Sequence, residues 1–152
     1  GHIRTQSLSE KESDDVALAM AVADGFESVG DVIETDLVNV GYQALESDSH
    51  SSEAMRHLFT QLGDKLAEAL ESTAQAVKEL DERAADKVLT MKADIDYLIK
   101  EALELQSQSL EGMGPEQVET IRMEMTVLEN LKRIHTYLKR IARQVLPQEV
   151  SD

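Results

Sequence analysis

The sequence predicts an all-α protein, an antiparallel bundle of four long helices, on the basis of three observations. Ala, Leu, Glu and Lys are abundant and aromatic residues make up only 3% of the chain, which favours helices over sheets. Apolar residues recur every three or four positions, the spacing that places them on one side of a helix. The 2 prolines stand only where a predicted helix starts or ends. A chain of 152 residues is expected to fold as one domain.

The first predicted helix covers residues 14–45 and follows a polar segment. Residues 1–13 are polar and serine-rich, so we expect disorder until Asp14 or Asp15 caps the helix. Gly1 and His2 resemble the remnant of a cleaved tag, and we therefore expect the natural chain to extend upstream. Apolar positions form one stripe along the helix, at Val22, Phe26, Val29, Ile33, Leu37, Val40 and Ala44.

The second and third predicted helices are separated by a single acidic residue. A Ser- and Asp-rich segment, residues 46–52, ends the first helix, and Ser52 is placed to cap the second, residues 53–80. Asp81 predicts a break before the third helix, residues 82–109, because one uninterrupted helix would need a partner of equal length.

The fourth predicted helix covers residues 116–145. It follows a Gly-Met-Gly-Pro turn at residues 112–115, where glycine can adopt the left-handed conformation and proline can open the next helix. The helical domain therefore spans residues 14–147 and leaves a C-terminal tail, residues 148–152.

Composition and charge exclude several classes of function. With 30 Asp and Glu against 15 Lys and Arg, the net charge of −15 would repel a nucleic-acid backbone. No stretch approaches the ~20 apolar residues of a membrane-spanning helix, so we expect none in this chain. The absence of cysteine excludes disulfides, thiolate metal sites and cysteine nucleophiles.

An acidic face on the first helix is the strongest candidate for a metal site. Four carboxylates recur there at spacings of three, four and three residues, and a hard metal ion would relieve their mutual repulsion. The alternative is an ordinary solvated face. Gly30 favours a ligand, because an internal glycine costs ~1 kcal/mol relative to alanine and suggests a close approach. The candidate ligands are Asp24, Glu27, Asp31, Glu34 and, from the third helix, Asp94.

Cations are concentrated in the second half of the fourth helix. The partial negative charge at a helix C-terminus favours them there, which is one explanation. The other is a basic patch that meets a protein partner or anionic lipid headgroups. The candidate partner-binding residues are Lys132, Arg133, Lys139, Arg140 and Arg143.

No catalytic motif is present. The sequence lacks a Gly-rich phosphate loop and a nucleophile elbow, and neither His57 nor His135 belongs to a Glu-x-x-His pair of di-iron bundles. We interpret both histidines as non-ligands and expect no enzymatic activity.

Two stretches resemble PhoU-type phosphate-uptake regulators. Residues 26–33, Phe-Glu-Ser-Val-Gly-Asp-Val-Ile, resemble the Leu-Glu-Arg-Ile-Gly-Asp-His-Ala stretch of that family, whose Glu-x-x-x-Asp pairs bind metal clusters on helical bundles. Residues 85–98 resemble an acid-rich Asp-x-x-(Ile/Val)-Asp-x-Leu helix pattern of the same family.

A third stretch resembles the family without its metal motif. Residues 131–138 align with the same Leu-Glu-Arg-Ile-Gly-Asp-His-Ala stretch of the family, but Lys132 replaces its Glu and Thr136 replaces its Asp. The longer window, residues 130–147, is similar to the PhoU-like C-terminal domain of bacterial sodium/phosphate cotransporter family proteins.

The resemblance implies a fold and a function. The fold would be one complete three-helix repeat plus the third helix of another, whose first two helices lie upstream or are missing. The chain would be a non-catalytic, cytosolic regulatory domain of a sodium-dependent phosphate transporter or a phosphate-uptake regulator, at the inner face of the membrane. Glu27 and Asp31 would contribute to a divalent or ferric metal site, joined by acids from other helices.

The expected partners are the membrane domain of the transporter, another protein, or a second copy of the chain. A homodimer is expected because missing helices would leave apolar surface that should pair. One alternative is a helical adaptor that binds no metal. Another is a metal-dependent phosphohydrolase, which predicts a histidine ligand, and no histidine falls on the first predicted helix.

Overall fold

The computed structural model describes residues 2–47, 50–110 and 112–147, and these form helices and turns without a strand. The bounds are α1 His2–Asp31, a π-helical segment (the π segment) Val32–Leu37, α2 Val38–Ser47, α3 Glu53–Glu79, α4 Glu82–Thr90, α5 Lys92–Gln108 and α6 Pro115–Val145. The first three of these segments form one continuous rod, and α4 and α5 form one helix that is interrupted at Met91. The described residues therefore form four long helices, which confirms the predicted fold class.

The rod begins earlier than predicted. It is helical from His2, whereas the sequence predicted disorder up to Asp14 or Asp15. Residues 2–13 contain neither glycine nor proline, and extending an existing helix adds one hydrogen bond for each residue that becomes ordered. Asp14 and Asp15 are suitable caps, but the helix continues through them because nothing before them breaks it. Gly1, the tail at 148–152, and Asp48 and Ser49 of the predicted break lie outside the described residues.

The predicted apolar stripe departs from the structure at one position, where the π segment begins. Val22 and Val29 are buried as predicted, but the next buried residue is Val32, and Ile33 is 41% exposed. The turn of a π-helix is wider than that of an α-helix, so side chains within the segment do not follow a 3.6-residue period. Beyond the segment the stripe resumes as predicted, with Val40 buried.

The second and third predicted helices are capped by the predicted residues. The Ser52 hydroxyl accepts a hydrogen bond from the backbone N–H of Met55 at 3.1 Å. The Asp81 carboxylate caps α4 by accepting from the N–H groups of Arg83 and Ala84, at 3.0 and 3.1 Å. Leu80, just before it, has the left-handed conformation (φ 52°) that ends many helices.

The third predicted helix is interrupted at Met91, which the sequence did not predict. The imidazole Nε2 of His135 lies 3.1 Å from the carbonyl oxygen of Val88. That carbonyl stands four residues before Lys92, where α5 starts, and would ordinarily accept the N–H of Lys92. A side chain that bonds to such a carbonyl is a known cause of helix bends.

Helices α3, α4–α5 and α6 form a three-helix unit, and the rod packs mainly on α6. The pairing of Gly25 with Ile141 and of Asp36 with Arg133 shows that the rod is antiparallel to α6. The core of the unit includes Leu62, Val88, Ile95 and Leu138, each at most 1% exposed. None of the described helices is long and apolar enough to cross a membrane.

Candidate functional site

The four acidic side chains of the rod project into solvent. Asp24, Glu27 and Asp31 lie on α1, and Glu34 lies in the π segment; all four are exposed. Their exposure fits the solvated face that the sequence left open, and it also leaves their oxygens free to reach a cation or a partner.

Gly30 does not mark the close approach that the sequence suggested. A Cβ atom added at Gly30 would meet no atom within 4 Å. The close approach is at Gly25, where a Cβ would lie 2.5 Å from the Cγ1 atom of Ile141. Gly25 therefore allows the rod to pack closely on α6, whereas Gly30, between Glu27 and Asp31, has no such role.

Asp94 lies on α5 and pairs with a cation of α3. It is exposed on α5 and its carboxylate is 3.4 Å from the ammonium of Lys65 on α3. Beside it, Glu68 pairs with Lys87 at 3.0 Å, and this hydrogen bond holds the pKa of Glu68 below its usual value. These residues form a surface ion-pair network, in which Asp94 already has a cationic partner.

The donor chemistry of the rod fits a hard metal ion, but the described residues do not complete a site. Carboxylate oxygens are the ligands that divalent and ferric ions prefer. Among residues 2–47, 50–110 and 112–147, no three His, Asp or Glu side chains are arranged to hold a metal. An ion at Glu27 and Asp31 would take its other ligands from water or from another chain.

Two of the predicted partner-binding cations are engaged within the molecule. The Arg133 guanidinium lies 3.5 Å from the Asp36 carboxylate and so links α6 to the rod. The Arg140 guanidinium lies over the Tyr137 ring, 5.6 Å from its centre, a cation–π contact. Both side chains remain exposed, but each already has an interaction partner within the molecule.

The remaining three cations meet a fourth that the sequence analysis missed. Lys132, Lys139 and Arg143 lie on the side of α6 that faces α5, where Lys92 pairs with Asp96 at 2.5 Å. We call these four cations the cationic cluster. Lys92 is 40 residues or more from the others in sequence, so no local pattern could have revealed it.

The charges in the cationic cluster are not balanced. Partial burial lowers the pKa of Lys139, and repulsion from Arg143, Lys92 and Lys132 lowers it further, while Asp96 acts in the opposite direction. Among the described residues, no carboxylate forms an ion pair with Lys132, Lys139 or Arg143.

An apolar trough runs along the same seam between α5 and α6 and ends at Lys132. It has a volume of about 610 Å³. Two of its residues, Val118 and Met125, are 43% and 52% exposed. Its apolar lining consists of Ile99, Leu103, Val118, Ile121, Met125 and Leu128.

His135 is buried, and its protonation should weaken the fold. The Val88 carbonyl can only accept, so Nε2 carries the hydrogen and the neutral ring satisfies this bond. Burial lowers the pKa of His135, so below pH ~6.5 the unfolded chain binds more protons than the folded one. Its contribution to stability is therefore complete above pH ~6.5 and is lost as the pH falls.

We expect the free energy of unfolding to decrease between pH ~6.5 and 5 in the wild type, and to do so less in His135→Gln. Urea unfolding at a series of pH values measures both. His57→Gln is the control, because His57 is exposed. In this variant the free energy of unfolding should decrease with falling pH as it does in the wild type. Equal slopes in all three proteins would contradict a role for His135.

One comparison with known proteins gives a match. A family model described as the PhoU domain matches residues 59–145, more than half of the 152 residues. The searches of curated proteins and of solved structures gave no significant match. The matched part contains most of α3 and all of α4, α5 and α6, hence the whole cationic cluster, but excludes the rod with Glu27 and Asp31.

Proposed function

The chain belongs to the PhoU domain family, and from this premise we propose that it is a non-catalytic regulatory domain of phosphate transport. The family match is the observation that carries the proposal, because it indicates a phosphate-related regulatory function in a family that is generally non-catalytic. We propose that its target is a sodium-dependent phosphate transporter and that it acts at the cytoplasmic face of the membrane, as part of that transporter or bound to it.

The rod is the part of the chain best suited to contact that target or a second copy. It lies outside the matched residues and packs mainly on α6, which leaves much of its surface uncovered. Large apolar side chains on that surface support a partner, because water contact with them is unfavourable. The exposed ones are Val16, Met20, Ile33, Val38, Tyr42 and Leu45.

The double variant Tyr42→Glu with Leu45→Glu tests this function. Both side chains are well exposed, at 63% and 80%, so the fold should survive while an apolar contact is lost. We expect altered phosphate uptake in cells that make the variant in place of the wild type. We also expect a shift from dimer to monomer in sedimentation if a second copy covers this surface.

The matched control is Asn39→Asp with Gln43→Glu, which adds the same two negative charges at exposed polar positions of α2. Its uptake and sedimentation should equal those of the wild type. Unchanged phosphate uptake in a strain that lacks the protein altogether would rule out the proposed function.

We propose that the acidic face binds a metal ion weakly and completes its ligand set from water or a partner. The double variant Glu27→Ala with Asp31→Ala should then lose metal measured by elemental analysis after dialysis against Mn²⁺ or Fe³⁺. The control variant, Asp14→Ala with Asp15→Ala, removes two exposed carboxylates from the same rod. It should keep the bound metal.

Equal metal content in both variants would exclude the Glu27 and Asp31 site. The exposure of the acidic face also supports a second candidate, a helical adaptor without metal. That candidate predicts a melting temperature that a chelator does not change.

A further inference from the structure

We propose that the seam between α5 and α6, with its cationic cluster and adjoining apolar trough, docks on an anionic lipid surface. The inference rests on the geometry of this seam and goes beyond the phosphate-related role. It can therefore fail or succeed without changing the evidence for that role.

The position of the cations requires an explanation other than the helix dipole. The partial charge at a helix C-terminus acts within the last turn. Helix α6 ends at Val145, so Arg143 lies in that turn, but Lys132 and Lys139 lie well before it. The Asp96 carboxylate acts on Lys139 but is hydrogen-bonded to Lys92. Glu129 lines the adjoining trough, where it forms no ion pair with a cation of the cluster among the described residues. Mutual repulsion of the remaining cations would be relieved by an external anion.

The trough beside the cluster indicates what kind of anion. Leu103, Val118 and Met125 are each more than 40% exposed, and the trough that they line reaches Lys132. A free inorganic anion would make no use of this apolar surface. A lipid surface offers both components, with anionic headgroups for the cations and acyl chains for the apolar residues, as in interfacial helices.

The acidic rod lies on the opposite side of α6 and does not prevent this docking. Ile141 contacts the rod at Gly25, whereas Lys139 belongs to the cluster. Residues two apart on a helix project about 200° apart, so rod and cluster lie on opposite sides. A helix with its side chains is about 10 Å thick, and the Debye length at physiological salt is about 8 Å. The rod's charges are therefore largely screened from a surface at the seam.

The experiment is vesicle flotation of the intact chain at 0.1 M salt. We expect it to float with vesicles containing 40% phosphatidylglycerol and not with pure phosphatidylcholine. Each basic residue near an anionic surface strengthens binding about fivefold, so Lys132→Glu with Lys139→Glu should weaken partitioning at least about twentyfold. Met125→Gln, at an exposed apolar position, should weaken it less.

The charge-matched control is Arg56→Glu with Lys78→Glu, which makes the same change in net charge at exposed positions of α3. It should float as the wild type does, and circular dichroism should show that all variants are folded. Equal loss of binding in this control and in the seam variant would overturn the inference. So would failure of the wild type to float with phosphatidylglycerol vesicles, which is the result expected if an acidic protein segment or a free anion occupies the seam.

Discussion

Replacing Leu138 by alanine is expected to lower the free energy of unfolding by about 2–5 kcal/mol, the largest effect of any single change considered for this chain. Leu138 has no exposed surface and lies on α6, the helix that α3, α4 and the rod all contact. The truncation would leave a cavity at the centre of the three-helix unit, and the packed neighbours can fill it only in part. Urea unfolding followed by circular dichroism measures the change.

The control for this prediction is Leu45→Ala. Leu45 is 80% exposed at the end of the rod, so removing the same atoms there should change stability by less than about 0.5 kcal/mol. Comparable losses in the two variants would mean that Leu138 does not lie in a closely packed core.

Replacing Gly25 by valine is expected to cost about 1–3 kcal/mol and to loosen the rod from α6. A Cβ at this position would lie 2.5 Å from the Cγ1 atom of Ile141 and 2.8 Å from its Cδ1 atom. Ile141 is 2% exposed, so its side chain has little space into which it can move. Hydrogen exchange should show faster exchange in α1 and a smaller change in α3.

Gly30→Ala is the matched control, five residues further along the same helix. No atom would meet its Cβ, and alanine is the better helix former by about 1 kcal/mol. We therefore expect a small stabilisation in the same unfolding measurement. Destabilisation by Gly30→Ala would indicate that another part of the molecule does pack closely against the rod near Glu27 and Asp31.

The sequence allowed the helices and most of their ends to be predicted because these depend on neighbouring residues. Ser52 and Asp81 cap the helices that follow them, as expected from the short reach of their side chains to the first free N–H groups. The four long helices and the all-α class followed from apolar spacing in the same way.

Departures from the predicted helices occur where distant residues intervene. The interruption at Met91 coincides with a hydrogen bond between residues 47 positions apart, His135 and Val88. Neither residue carries a local signal for it. In the π segment Val32 is buried in place of Ile33, because the wider turn does not follow the 3.6-residue period on which the prediction was based.

Composition and short-range periodicity are properties of the sequence alone, so they were enough to predict that this chain is helical and acidic and to reveal the local stretches that resemble the PhoU family. The packing of the helices sets which charges lie together. It pairs Asp94 with Lys65, pairs Arg133 with Asp36, and places Lys92 close enough to Lys139 to repel it. The physical reason is that an ionic interaction depends on distance in space, and helix packing sets that distance without regard to separation along the chain.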